Sequence, residues 1–116
     1  MSNPSKDVHK KLLGRRGERL AERYLKRQGY RLLKRNYRTP FGEADLVFRD
    51  GDEVVFVEVK TRSGASFAEA RDAVNQEKQS RYRKIALYYG GGMEPNARFD
   101  VVEVYPDKIN HIPNAF

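Results

Sequence analysis

Gly42-Glu43-Ala44-Asp45-Leu46-Val47-Phe48-Arg49-Asp50-Gly51-Asp52-Glu53-Val54-Val55-Phe56-Val57-Glu58-Val59-Lys60 is the stretch on which the fold turns. Its centre, Asp50-Gly51-Asp52-Glu53, is a hairpin turn signal, and residues 43–49 and 54–60 on either side read as strands. Val54-Val55-Phe56-Val57 is apolar at every position, which calls for a sheet covered on both faces. With Gly51 and Asp52 as a two-residue turn, pairing runs outward from Asp50 and Glu53. It sets Asp45 opposite Glu58 and Glu43 opposite Lys60. Opposite Cβ atoms lie about 4.5–5.5 Å apart, so the two carboxylates can converge on one cation. Without a cation the like charges repel.

Lys60 lies two residues beyond Glu58 and shares its face. A carboxylate pair with a lysine beside it suits metal-assisted hydrolysis of a phosphodiester. The ion polarises the phosphate and acidifies a bound water, and the ammonium sits where negative charge builds. The plainer alternative is a cross-strand salt bridge, Glu43 with Lys60, beside an awkward acid pair. The apolar flanks, the Asp in register and the basic sequence nearby raise the metal–phosphate site to equal standing with it.

Working outward, residues 6–28 carry Val8, Leu12, Leu13, Leu20, Ala21, Tyr24 and Leu25 at three-to-four-residue spacing, the stripe of an amphipathic helix stopped by Gly29. Gly14 and Gly17 weaken that helix relative to Ala, so close packing or the approach of a ligand is expected there. Tyr30–Arg38 reads as a first strand and Thr39-Pro40-Phe41-Gly42 as a turn. Ser66-Phe67-Ala68-Glu69 has capping-box spacing and opens a helix towards Tyr89, with Asn75 able to cap a restart. Gly90-Gly91-Gly92 ends it. Arg98–Tyr105 alternates as a fourth strand, and Ile109–Ile112 is a short edge strand. The result is an α/β fold: helix, three antiparallel strands, helix, strand, in a mixed sheet flanked by helices.

The 116 residues make one domain, a core over about 6–105 with a C-terminal tail at 106–116. There is no cysteine, so disulfides and thiolate zinc sites are excluded, and a reducing cytoplasm is the expected location. His9 and His111 are the only histidines, so any metal is held by oxygen, which favours Mg2+ or Mn2+. No apolar run is long enough to span a membrane, and the charged N-terminus is unlike a signal peptide. Residues 1–38 hold 13 Lys/Arg against 3 Asp/Glu, while residues 39–116 hold 10 against 13. A basic end beside an acid-bearing core suits phosphate recognition. It equally suits a solvated helix face. Candidate phosphate contacts are Arg15, Arg16, Arg19, Arg38, Arg62 and Lys78, with Glu43 and Gln76 as accessory positions. Tyr30, Tyr37, Phe41 and Phe67 could stack on bases, although aromatics more often fill a core. Arg98 and Asp100 share a strand face and are read as a structural pair.

Gly17-Glu18 with Ala21 and Leu25, Asn36-Tyr37-Arg38, Gly42-Glu43-Ala44-Asp45-Leu46, Phe56-Val57-Glu58-Val59-Lys60-Thr61-Arg62, Lys78 and Arg98-Phe99-Asp100-Val101-Val102 together resemble the YraN family of bacterial proteins. The resemblance runs from about Gly14 to Val104. That family is placed in the restriction-endonuclease-like, PD-(D/E)xK superfamily of nucleases and is similar to archaeal Holliday-junction resolvases. The resemblance implies a metal-binding role for Asp45 and Glu58, a catalytic role for Lys60 and an accessory ligand role for Glu18. Ala44 stands where the superfamily often has proline. The implied function is Mg2+- or Mn2+-dependent hydrolysis of nucleic acid, with DNA favoured over RNA and branched DNA suiting a homodimer. Two rivals belong to other classes: a nucleic-acid-binding module that does not cut, and a structural domain whose basic face meets an acidic protein.

Overall fold

The computed structural model describes residues 4–62, 75–93 and 95–116, with side chains from residue 14 onward. Helix α1 spans Pro4–Arg27, followed by β1 (Arg31–Thr39), β2 (Gly42–Asp50) and β3 (Glu53–Thr61). Helix α2 (Gln76–Tyr89), β4 (Ala97–Val104) and β5 (Ile109–Ile112) complete the chain. The strands lie within one residue of the positions that alternation and turn signals set. The sheet order is β1-β2-β3-β4-β5, with β3 and β4 parallel and the other neighbours antiparallel. Helix α2 lies within the β3-to-β4 connection, as a parallel pair requires. This is the helix, three-strand, helix, strand order of a restriction-endonuclease-like core, with β5 added at the edge.

The sheet is buried on both faces, as the unbroken Val54–Val57 run demanded. Leu46, Phe48, Val55, Val57, Val102 and Val104 pack with Ala21 and Leu25 of α1. Val47, Val54 and Phe56 pack on the other face with Tyr82, Ile85 and Ala86 of α2. Each fully buried large side chain stabilises the fold by about 1.5–3 kcal/mol. Helix α1 ends where Gly29 turns to φ +94. Asn75 caps α2, its side-chain oxygen accepting the Lys78 N–H at 2.8 Å. The Ser66–Glu69 capping box and Phe67 lie outside the described residues.

One glycine in α1 has a packing reason and the other does not. A Cβ on Gly17 would run into Thr61 Oγ1 of β3, whereas one on Gly14 would meet nothing within 4 Å. Gly17 therefore lets α1 lie closely on β3, beside Lys60. At the far side of the sheet, fully buried Asp100 ties the edge together. Arg98 donates to it at 2.9 and 3.1 Å, His111 Nε2 lies 2.7 Å from its Oδ2, and the Asn114 N–H donates to it at 3.0 Å. Burial acts to raise the Asp100 pKa, but these partners outweigh it and hold the carboxyl below its ordinary range.

Candidate active site

Asp45 stands where the β2–β3 ladder stops. Backbone pairing runs from Asp50–Glu53 to Leu46–Val57, in the register the two-residue turn imposes. One step further the expected direct pairing of Asp45 with Glu58 is replaced. The Asp45 carboxylate takes the acceptor position, its Oδ2 receiving the Val59 N–H at 2.7 Å. The β1 side is irregular at the same place. Asn36 adopts φ +49, and its pairing with Asp45 is skipped between Arg35–Leu46 and Tyr37–Ala44. Asparagine is among the few residues that tolerate this region. Glu43, expected opposite Lys60, instead lies 3.7 Å from Arg38.

Glu58 is buried on the adjoining strand. Its Oε1 lies 2.9 Å from Lys78 Nζ of α2 and 3.3 Å from Lys60 Nζ. Its Oε2 is buried and has no hydrogen-bond partner among the described residues. Buried carboxylate oxygens are normally satisfied, so this atom marks a place for a further donor or a cation. Burial pushes the Asp45 carboxyl up to about 6, against the Val59 hydrogen bond, with Glu58 and Glu43 adding like charge. Burial also lowers the Lys78 pKa, helped by the neighbouring Lys60 ammonium and opposed by Glu58.

Glu18 reaches the same neighbourhood from α1. Burial raises its pKa first, and Asp45 and Glu43 raise it further. With its amide turned to donate, Asn36 lies 3.3 Å from Glu18 Oε2 and 3.2 Å from Glu43 Oε1, bridging the two. Among the described residues, no group of three Asp, Glu, His or Cys side chains is arranged to hold a metal. What is present is a carboxylate pair with unused oxygens, Glu18 nearby, and two ammonium groups on Glu58.

The structure sorts the remaining sequence candidates. Arg15 and Arg19 are exposed and line an open cleft of about 450 Å³ with Glu18, Glu22, Arg35, Asn36 and Leu46. Arg16 is exposed outside that lining, and Arg38 is exposed beside Glu43. Gln76 is exposed in the first turn of α2. Arg62 sits differently from the exposed arginines. It is buried, 3.2 Å from Glu103, and Glu103 also accepts from Asn110 at 2.8 Å. The guanidinium is thus engaged by a buried carboxylate of β4. Tyr30 and Tyr37 pack against the core, while Phe41 is 46% exposed.

Three nearby residues drew no functional reading from sequence. Asn36 bridges the acids. Arg35 holds Glu22 through bonds of 2.6 and 3.0 Å, which lowers the Glu22 carboxyl to about 2. Tyr82 is buried, and burial together with the Glu58 and Asp45 charges raises its pKa. Only Asn36 carried a local signal, its tolerance of positive φ.

Fold and site together define an α/β domain of restriction-endonuclease-like order with a carboxylate pair and two lysines at the open end of its central hairpin. The chain belongs to Uncharacterised protein family UPF0102, whose family model matches residues 17–104. This is the YraN family that the motifs resemble. It is 44% identical over 106 residues to a UPF0102 protein of Thermodesulfovibrio yellowstonii, covering 90% of this chain and 95% of that one. A relative from Geobacter sulfurreducens is 47% identical over 116 residues, covering 93% and 91%. Another, from Caldanaerobacter subterraneus, is 40% identical over 121 residues, covering 96% and 99%. No described helix is long and apolar enough to cross a membrane.

Proposed function

We propose that this protein is a divalent-metal-dependent nuclease acting on nucleic-acid phosphodiesters, with DNA preferred. The observation that carries the reading is Glu58. Its Oε2 is buried and has no partner among the described residues, on the strand beside the point where Asp45 interrupts the ladder and next to the Lys60 and Lys78 ammonium groups.

The donor set fits a hard cation. Asp45 and Glu58 would hold it, with Glu18 able to join; the chain has no thiolate, and His111 is engaged by Asp100. Mg2+ keeps several waters and often takes only one or two protein carboxylates. When bound, such an ion supplies Lewis acidity at the phosphate and a more acidic water. The chain's own residues do the rest. The Val59 N–H orients Asp45. Lys60 and Lys78 place positive charge beside the reacting phosphate, where the oxygens gain negative charge as water attacks phosphorus and the ester P–O bond breaks. The exposed Arg15, Arg16, Arg19 and Arg38 hold the backbone without reading bases, so binding weakens steeply with salt.

One observation favours a binder that does not cut: two ammonium groups already balance the Glu58 charge. A single experiment separates the readings. Mn2+ is titrated calorimetrically into the wild type and into the Asp45→Ala, Glu58→Ala double variant, and linear and four-way DNA and RNA are incubated with each. Cleavage and Mn2+ binding by the wild type alone are expected. Nucleic-acid binding without cleavage at any divalent concentration refutes the nuclease. Sedimentation of the four-way complex tests the homodimer that a two-fold junction suits.

A further inference from the structure

A second surface lies at the tip of the β1–β2 hairpin, away from the carboxylates. The Thr39 hydroxyl donates to the Gly42 carbonyl at 2.8 Å and accepts the Phe41 N–H at 3.1 Å. Gly42 adopts φ +138, a conformation that favours glycine, and the Arg81 stem lies 2.8 Å from where its Cβ would stand. The tight turn directs Phe41 onto α2, where its ring meets Tyr88 edge to face with centroids 6.3 Å apart. Phe41, Lys84, Leu87, Tyr88, Gly91 and Gly92 line an open concavity of about 390 Å³. Phe41 and Tyr88 are 46% and 49% exposed, two of the few large apolar side chains left in solvent among the described residues. Arg81, Lys84 and Tyr88 fall at i, i+3 and i+7, one face of α2. No acidic side chain among the described residues forms an ion pair with Arg81 or Lys84.

We propose that this patch holds an unpaired nucleobase of the nucleic-acid substrate, stacked on the face of one of the two rings, Phe41 or Tyr88, and edge-on to the other, with Lys84 and Arg81 on the adjoining phosphates. The inference rests on the nucleic-acid reading above and narrows its substrate class to strands with unpaired nucleotides: overhangs, flaps or gaps. Exposed aromatics interleaved with cations are the composition of single-strand platforms, because every base offers a π face. A duplex hides those faces. A second copy of this chain is the poorer occupant, since pairing the patch with itself would bring Arg81 and Lys84 against their own kind. The helix also links the two places. Lys78 sits on Glu58, and Tyr88 lies ten residues further along, about 15 Å at 1.5 Å per residue.

The test is binding by fluorescence anisotropy in EDTA, so that nothing is cut. The probes are an oligothymidylate strand, a blunt duplex and the same duplex with a single-stranded overhang. The Phe41→Ala, Tyr88→Ala variant is expected to lose roughly 5- to 150-fold in affinity for the strand and the overhang, the worth of one stacked base. Its affinity for the blunt duplex stays within about twofold, the scale of a surface change that leaves the phosphate contacts intact. Tyr88→Phe keeps the ring and retains strand binding. Unchanged strand affinity, or an equal loss on duplex and strand, overturns the inference and leaves the nuclease reading standing. A shift in sedimentation of the free protein on removing both rings overturns it in favour of self-association. A wild type that binds none of the probes sinks both readings.

Discussion

Replacing Gly17 by Ala should destabilise this protein, although the same change in an unconstrained helix stabilises it. Ala is favoured over Gly in a helix interior by about 1 kcal/mol. Against that, the new methyl would collide with Thr61 Oγ1, while Thr61 Cβ and Cγ2 stand at ordinary contact, 3.6 and 3.9 Å away. Overpacking of this kind costs about 1–3 kcal/mol, so the net effect is a loss of up to about 2 kcal/mol. The hydroxyl alone causes the collision, and Thr61→Ala removes it. In that background Gly17→Ala should stabilise by about 1 kcal/mol. The coupling energy across the cycle is then about 1–3 kcal/mol, well above the ~0.5 kcal/mol scatter of independent sites. Urea unfolding of the four proteins measures it. Gly14→Ala, with nothing within 4 Å of its added methyl, serves as control and should stabilise in both backgrounds. If Gly17→Ala behaves like Gly14→Ala whatever stands at 61, the close approach of α1 to β3 is wrong. Displacing α1 also moves Glu18 from Asp45, so metal affinity should fall in Gly17→Ala and recover in the double variant.

Asp100→Asn should cost about 3 kcal/mol at neutral pH, the low end for breaking a buried pair, because Asp50 and Glu53 still hold Arg98 at 2.9 and 3.4 Å. The Asp100 pKa is depressed on folding. Its contribution is thus complete above the ordinary carboxylate value and fades as pH falls through the folded one. Melting from pH 7 to pH 2 should bring the variant and the wild type together at the acid end, and a constant gap would disprove the assignment. Arg62→Met should lower the urea midpoint by leaving Glu103 buried with a lost partner. Its nucleic-acid affinity, measured while folded, should match the wild type. Arg19→Ala should do the reverse, keeping stability and reducing the slope of log affinity against log salt by about 1. Loss of affinity in Arg62→Met would return that residue to the interface.

The hairpin from Gly42 to Lys60 was legible because its signals are local. The Val54–Val57 run, the Asp50–Glu53 turn and the two-residue loop together set both strands and their register as far as Leu46 and Val57. The end of the ladder was not legible. Nothing in an alternating pattern says that an aspartate will take the acceptor place of a carbonyl, as Asp45 does for Val59. The Arg62 pairing was hidden for a related reason. An arginine after a strand reads as exposed, and its partner Glu103 lies 41 residues further on. The two meet only because β4 runs parallel to β3 with Lys60 beside Glu103 and Thr61 beside Val104. Lys78 was readable as an inward-facing lysine, but its contact with Glu58 depends on how α2 is laid across the sheet.

Local irregularities gather in one place. Asn36 with φ +49, the skipped Asn36–Asp45 pair, the interrupted β2–β3 ladder, the unpaired Glu58 oxygen and the glycine under Thr61 all surround the same end of the sheet. Each departs from a rule that a stability-driven sequence obeys: close the ladder, satisfy the buried oxygen, keep Gly out of the helix. A sheet that closed over Asp45 would satisfy more backbone and expose fewer charges, yet it would have no opening in which a phosphate could meet two carboxylates and two lysines. The β2–β3 pairing ends where the acids stand, and on the nuclease reading a cation that neutralises them binds there. Divalent cations should therefore raise the melting temperature of the wild type and leave the Asp45→Ala, Glu58→Ala variant unmoved, a linkage set by differential binding to the folded state. Equal shifts in both would mean that the opening has a structural cause unrelated to metal.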